Sequence, residues 1–232
     1  MGFFCLHIIH IIIQLVCRKG VIMLGIVVAM DSEMELLLSN LHQDNYKVEK
    51  NVFKTYEFNI NNKEFVGIVS GVGKIKASAA TEYLLSQNKI SKVLNFGMAG
   101  GIDNSVNIGD IVNVIGSYDN DEDLSAFGQE KVKRQLVSID DFDAPQGICV
   151  SGDKFVNDYE EAKGINKRYN ALCYEMELSA IALICNMHGV PILSIKYISD
   201  KADENAEFDF DESLKKAANE FSDFIIEMVN EL

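Results

Sequence analysis

The chain has 232 residues, with 35 acidic against 21 basic side chains and a formal net charge of −14. That charge repels phosphate backbones and anionic lipid, which argues against nucleic acid and membrane surfaces as partners and points to a small molecule. The length suits one domain whose core needs no disulfide or metal staple, and the five cysteines (Cys5, Cys17, Cys149, Cys173, Cys185) form no CxxC pair, as expected of reduced, mostly structural thiols in a cytoplasm.

Residues 1–22, "MGFFCLHIIHIIIQLVCRKGVI", stand apart. They lack the basic start and small-residue cleavage site of a secretory signal, and their apolar stretch falls short of the ~20 residues a membrane span needs. Leu6 occupies the position where a myristoylation signal carries Ser or Thr. The segment reads as an extension outside the fold, with a membrane anchor as the competing reading, and the domain runs over 23–232.

From Met23 onward short apolar runs alternate with helical segments, the pattern of an α/β domain. "MLGIVVAM" reads as a buried strand. In "DSEMELLLSNL", Ser32 precedes Glu35 by a capping-box spacing, so Glu33 falls in the first turn of a helix that follows the strand. "YEFNI" and "KEFVGIVSG" predict two antiparallel strands joined at Asn61-Asn62. Beyond Gly71-Val72-Gly73 the segment "KIKASAATEYLLSQ" turns helical. "KVLNFGMAGGI" reads as a strand entering a glycine-rich turn, and "GDIVNVIGS" as another strand.

The stretch from Tyr118 to Pro145 is acidic and irregular, and "YDNDED" and "IDDFD" read as solvated loops. "GICVSGD" and "ALCYEME" are strands, followed by the helix "LSAIALICNMHG" with Gly189 as its stop. "PILSIKYIS" is the last strand, and a helix opening near "DFDE" carries Leu214, Ala217, Phe221, Ile225 and Met228 on one face.

Ligands of open α/β sheets sit at the carboxyl ends of the strands. Glu33, the Ser70 to Gly73 turn, the Gly97 to Gly101 turn, Glu175 to Glu177, and Ser199-Asp200 all fall at such ends and share one predicted cleft. No Cys and His spacing suits a metal, and no Ser-His-acid set is present, so the chemistry on offer is that of carboxylates. Taken singly, each residue has a plainer reading. Asp200 can end a turn, Glu33 can face a helix dipole, Glu175 can open the next helix, and Phe155 can be core.

The ordered set "GIVVAMDSEMELL", "SGVGK", "GMAGGI", "GDIV", "SGDKFV", "EMELSAIA" and "ISDKAD" resembles the 5′-methylthioadenosine/S-adenosylhomocysteine nucleosidases of the nucleoside phosphorylase superfamily, from Met23 to Leu232. The resemblance implies a single-domain, three-layer α/β/α fold around a twisted mixed sheet, no cofactor, an adenine nucleoside as substrate, a homodimer, and hydrolysis of the N-glycosidic bond. By that resemblance Asp200, oriented by Ser199, protonates purine N7, while Glu33 directs water with help from the Ser70 hydroxyl. Glu177 accepts the ribose 2′ and 3′ hydroxyls, Met176 packs on the sugar, and Glu175 supports them. Phe155 stacks on adenine and the Val156 backbone reads its edge. Gly97, Ala99 and Gly100 let the backbone approach the ligand. Phe127 is lent across the dimer interface to the 5′ end of the site.

The chain departs from the family pattern at three places. Lys196 stands where an arginine is expected three residues before Ser199, and keeps the charge while losing the planar fork. "NFGMAGG" replaces "NTGSAGG", placing Phe96 and Met98 there. "QEKVKRQ" after Phe127 is charged. Two other readings compete with hydrolysis. A phosphorylase would need arginines to clamp phosphate, and none lies between Met23 and Lys133. A non-catalytic nucleoside binder would not need both an acid and a base. Within the hydrolases, 6-amino-6-deoxyfutalosine and 5′-deoxyadenosine are alternative substrates.

Overall fold

The computed structural model describes residues 22–39, 46–137 and 144–231. The N-terminal segment up to residue 21, with Cys5 and Cys17, and the "IDDFD" stretch lie outside the described residues. Ten strands form one mixed sheet: β1 (Ile22–Val28), β2 (Tyr46–Lys50), β3 (Lys54–Ile60), β4 (Lys63–Val69), β5 (Lys89–Gly101), β6 (Ile111–Asp119), β7 (Arg134–Gln135), β8 (Gln146–Ser151), β9 (Ala171–Glu175) and β10 (Ile192–Asp200). Among the described residues five helices accompany them: α1 (Asp31–Leu38), α2 (Lys74–Gln87), α3 (Tyr159–Tyr169), α4 (Leu178–His188) and α5 (Ala206–Glu231). The fold is of the α/β class that the sequence pattern predicts.

β1 lies between β4 and β5 and runs parallel to both. β3 and β4 form the expected hairpin, with Asn61 and Asn62 both at positive φ (50° and 63°), as a two-residue turn matched to strand twist requires. β5 also pairs in parallel with β10 and, through Gly100 and Gly101 alone, antiparallel with β9. Because β10, β6, β8 and β9 are joined in that order, β5 closes them into a ring. The sheet is therefore open at its β2 edge and closed at the other, and the ring gathers the ends of β5, β9 and β10 into one place.

Period-2 alternation sorts the core onto two faces. Ile26 and Val28 of β1, Leu94 and Phe96 of β5, and Leu193 and Ile195 of β10 pack with α1 and α5. Val27, Val93, Ile192 and Ile198, on the opposite parity, pack with α2 and α4. Cys149, Cys173 and Cys185 are buried free thiols. No helix among the described residues is long and apolar enough to cross a membrane.

The structure differs from several local expectations. β1 takes in Ile22, which pairs with Lys89 of β5. The N-cap of α1 is Met30, and Ser32 lies inside the helix; the first-turn donors are met by Glu33 reaching back to the Met30 N–H. "KVLNFGMAGGI" stays a strand through its glycines to Gly101. α3 is not foreshadowed by the sequence pattern, because "YEEAKGINKRY" is mostly polar. It forms through capping and charge: Asp158 accepts the Glu161 N–H at 2.8 Å, acids fill the first turn and bases the last, and Asn170 closes it at φ 49°. β2, also unforeseen, pairs with β3 at the sheet edge.

Candidate active site

A cavity of about 320 Å³ opens where β1, β5, β9 and β10 end. Its wall includes Glu33, Glu177 and Asp200, which are 4%, 8% and 2% exposed. Three carboxylates far apart along the chain thus face one space.

Glu33 arrives there because α1 starts immediately after β1. Its Oε2 accepts the N–H groups of Ala29 (2.8 Å) and Met30 (2.9 Å), and Oε1 accepts that of Met98 (3.2 Å). Three donors favour the anion, as does the nearby Lys196 ammonium, but burial outweighs them and holds the carboxyl above its ordinary range. Gly97 lies under this group. A Cβ at Gly97 would sit 2.3 Å from Glu33 Oε1. The glycine therefore makes room for the carboxylate, where the family resemblance implies room for the ligand.

Asp200 ends β10. Its Oδ2 accepts the Ser199 hydroxyl at 2.7 Å and its Oδ1 the Ala202 N–H at 2.8 Å, the latter from a residue at φ 50°. Burial raises its pKa against the pull of these two donors. A carboxyl that keeps its proton nearer neutrality is suited to donate it. Gly100 is needed beside it, since a Cβ there would lie 2.8 Å from Asp200 Oδ1.

Glu177 follows β9 and takes the Gly73 N–H on Oε1 at 2.7 Å. Burial first, and the Glu175 charge second, push its pKa to about 8. Glu175 is the most heavily bonded of the four acids. It accepts the Ser151 hydroxyl, the Glu177 and Leu178 N–H groups, and the Lys196 ammonium at 3.1 Å. Burial opposes the Lys196 charge, but the carboxylates around it, Glu175 foremost, hold the ammonium above its ordinary value.

Met176, Ala99, Gly100, Phe155 and Val156 also line the cavity, as read from the sequence. Phe155 is 40% exposed and meets Phe210 edge to face, with centroids 6.4 Å apart. Ser70 is not brought to the wall; its hydroxyl is donated to the Gly71 carbonyl at 2.8 Å. Lys196 lies behind the wall, bonded to Glu175. Of the two substituted residues, Met98 faces the cavity, while Phe96 is fully buried in the core. Phe127, at the end of a single 3₁₀ turn (Ser125–Phe127), is 80% exposed and outside this cavity. Met30, Tyr174, Ala202 and Phe210 line it too, and sequence reasoning does not single them out. Phe210 has a visible signal: an aromatic among acids in "EFDFDE", at the start of the last helix. Among the described residues no cluster of His, Cys, Asp and Glu could hold a metal ion.

The family model described as phosphorylase superfamily matches residues 23–230. A 5′-methylthioadenosine/S-adenosylhomocysteine nucleosidase of Glaesserella parasuis is 34% identical, over 89% of this chain and 98% of that protein. The chain belongs to this nucleosidase family, within the phosphorylase superfamily. Solved structures similar to this nucleosidase-family chain include the Neisseria meningitidis enzyme of the same name in complex with methylthio-immucillin-A, with 31% identity, TM-score 0.82, and coverage of 90% of this chain and 99% of that one. A mutant futalosine hydrolase of Helicobacter pylori is similar at 26% identity and TM-score 0.83, over 91% and 100% of the two chains. The fold of this family member is thus shared with proteins named for different substrates.

Proposed function

We propose that the chain hydrolyses the N-glycosidic bond of 5′-methylthioadenosine, S-adenosylhomocysteine or both, releasing adenine and the 5-thioribose product. The observation that carries this reading is the convergence of Glu33, Glu177 and Asp200 on one cavity. The names of the relatives and the methylthio-immucillin-A held by a similar structure support it.

In this reading Asp200 donates its proton to N7 of the departing purine, and Ser199 fixes which oxygen bears it. As the C–N bond lengthens, the ribose gains oxocarbenium character. Glu33, anchored by three N–H groups, takes the proton of the attacking water. Glu177 accepts the ribose hydroxyls, Met176 covers the sugar, and Phe155 with Val156 holds the adenine. Lys196 pairs with Glu175 behind the sugar.

The competing phosphorylase reading is disfavoured by the wall itself. It carries four acidic side chains (Glu33, Glu175, Glu177, Asp200) and, among the described residues, no Lys, Arg or His, so a phosphate dianion would find no cationic clamp. We further propose a cytoplasmic homodimer serving methionine salvage, in which Phe127 is offered to the neighbouring subunit's site, and the segment before Ile22 lies outside the catalytic fold.

The test is to incubate the full chain with 5′-methylthioadenosine, with and without phosphate, and follow adenine. Equal release in both supports hydrolysis. Release only with phosphate would make the protein a phosphorylase, and none in either would reject catalysis on this nucleoside.

A further inference from the structure

Lysine is an unfavourable choice for the first turn of a helix, where the dipole is positive. α2 nonetheless opens with Lys74 and has no acid in its first turn. The explanation lies outside the helix. The Lys74 ammonium sits between Asp119 at the end of β6 (2.5 Å) and Asp121 (2.7 Å), with only 12% of its side chain exposed. Its backbone N–H, one of the helix's unpaired first-turn donors, is accepted by Asp153 Oδ1 at 2.8 Å. Asp121 Oδ2 in turn accepts the Asp153 N–H at 3.0 Å.

These bonds close a circuit that reaches both halves of the candidate site. On one side Gly73, immediately before Lys74 and held at φ 104°, gives its N–H to Glu177. On the other, Asp153 lies two residues before Phe155 and three before Val156. The acidic run "YDNDED", which reads as a solvated loop in sequence, supplies Asp119 and Asp121 to this circuit.

We propose that Lys74 is a positioning residue which, through Asp121 and Asp153, couples the sugar-holding Glu177 to the base-holding Phe155 and Val156, so that both halves of the nucleoside site are set by one ammonium. The inference rests on the nucleoside reading of the cavity. Lys74 touches no substrate and acts through Gly73 on one side and Asp153 on the other.

The experiment compares wild type, Lys74→Met, Lys74→Arg and Asp153→Ala in the full chain, measuring adenine release from 5′-methylthioadenosine, adenine binding by calorimetry, and the melting temperature. Lys74→Met is expected to raise KM and weaken adenine binding together by roughly tenfold, the equivalent of about one 1.4 kcal/mol step, while kcat changes less. Lys74→Arg should recover most of both. Asp153→Ala should match Lys74→Met, and the double variant should add little, since both break one circuit. If Lys74→Met does not fold, Asp121→Asn, which removes one charge at constant size, takes its place. Unchanged KM and adenine affinity would overturn the proposal, and so would a fall in melting temperature and kcat with both binding constants intact, the signature of a purely structural lysine. A wild type that binds adenine without cleaving nucleoside would reject the hydrolytic reading, and the coupling would then be judged on the calorimetric ratio alone.

Discussion

Lys196 and Glu175 form an ion pair, 3.1 Å apart, in which the two side chains are only 3% and 4% exposed. Removing one partner of such a pair leaves an uncompensated charge in the interior, which typically costs about 3–5 kcal/mol. Lys196→Met is therefore expected to lower stability by about that much in denaturant unfolding. It also removes the cation that favours the Glu33 anion, so the acid limb of the pH–rate profile should move to higher pH. An unshifted acid limb in a folded Lys196→Met protein would separate this lysine from the chemistry.

The acid and base roles differ in how cleanly they can be tested. In Asp200→Asn the amide oxygen can still accept the Ala202 N–H, and the Ser199 hydroxyl can rotate to accept from the amide nitrogen, so no bond need be lost. A fall in turnover of roughly two or more orders of magnitude with a melting temperature no lower than that of wild type is expected. Glu33→Gln should lose activity similarly, but it sets an NH₂ against one of three N–H donors and should melt somewhat lower. Full turnover in either variant would strip that residue of its assigned role.

Glu177 makes stability depend on pH. Its folded pKa, about 8, lies above its ordinary 4.5, so between those values the folded protein binds more protons than the unfolded chain. Stability then falls as pH rises through that window and is greatest below it. The raised carboxyls of Glu33 and Asp200 act in the same direction. Glu177→Gln cannot ionise yet can still accept the Gly73 N–H. It should melt higher than wild type at pH 8, by roughly 2–4 °C per kcal/mol relieved, and equal it more nearly at pH 5, while losing affinity for the nucleoside. An equal melting difference at both pH values would contradict the assignment.

What can be read in the chain, and what cannot, follows from the range of each interaction. Glu33, Glu177 and Asp200 are legible because each sits where an apolar run ends, and parallel strands bring such ends together. The hairpin at Asn61-Asn62 and the stop at Gly189 are local, and both hold. Ring closure is not legible, since it rests on the pairing of Gly100 and Gly101 with Tyr174 and Cys173, far apart in sequence. Where the Ser70 hydroxyl points is not legible, because a strand-end position does not say which way a hydroxyl turns, and this one donates to the adjacent carbonyl. α3 escapes a pattern search because caps and charges, rather than an apolar stripe, define it. Lys74 is the clearest case of a local rule broken for a distant partner.

Gly97 gives a test of whether the site's geometry is as tight as these contacts imply. It lies in β5, in register with Lys196 of β10, so its backbone is held by the sheet and cannot easily retreat. Glu33, across from it, is tied by three N–H bonds. A methyl group placed 2.3 Å from Glu33 Oε1 and 3.0 Å from its Cδ must displace the carboxylate, because the strand is the stiffer of the two. Gly97→Ala is expected to cost about 1–3 kcal/mol and to lower kcat by roughly tenfold or more through a misplaced base. Gly164, exposed in α3 with nothing within 4 Å of where an added methyl would sit, is the control: Gly164→Ala should raise stability by about 0.5–1 kcal/mol and leave turnover alone. If Gly97→Ala behaved like Gly164→Ala, Glu33 would not be held where the mechanism needs it, since a carboxylate that yields to a methyl group at no cost is not fixed for water activation.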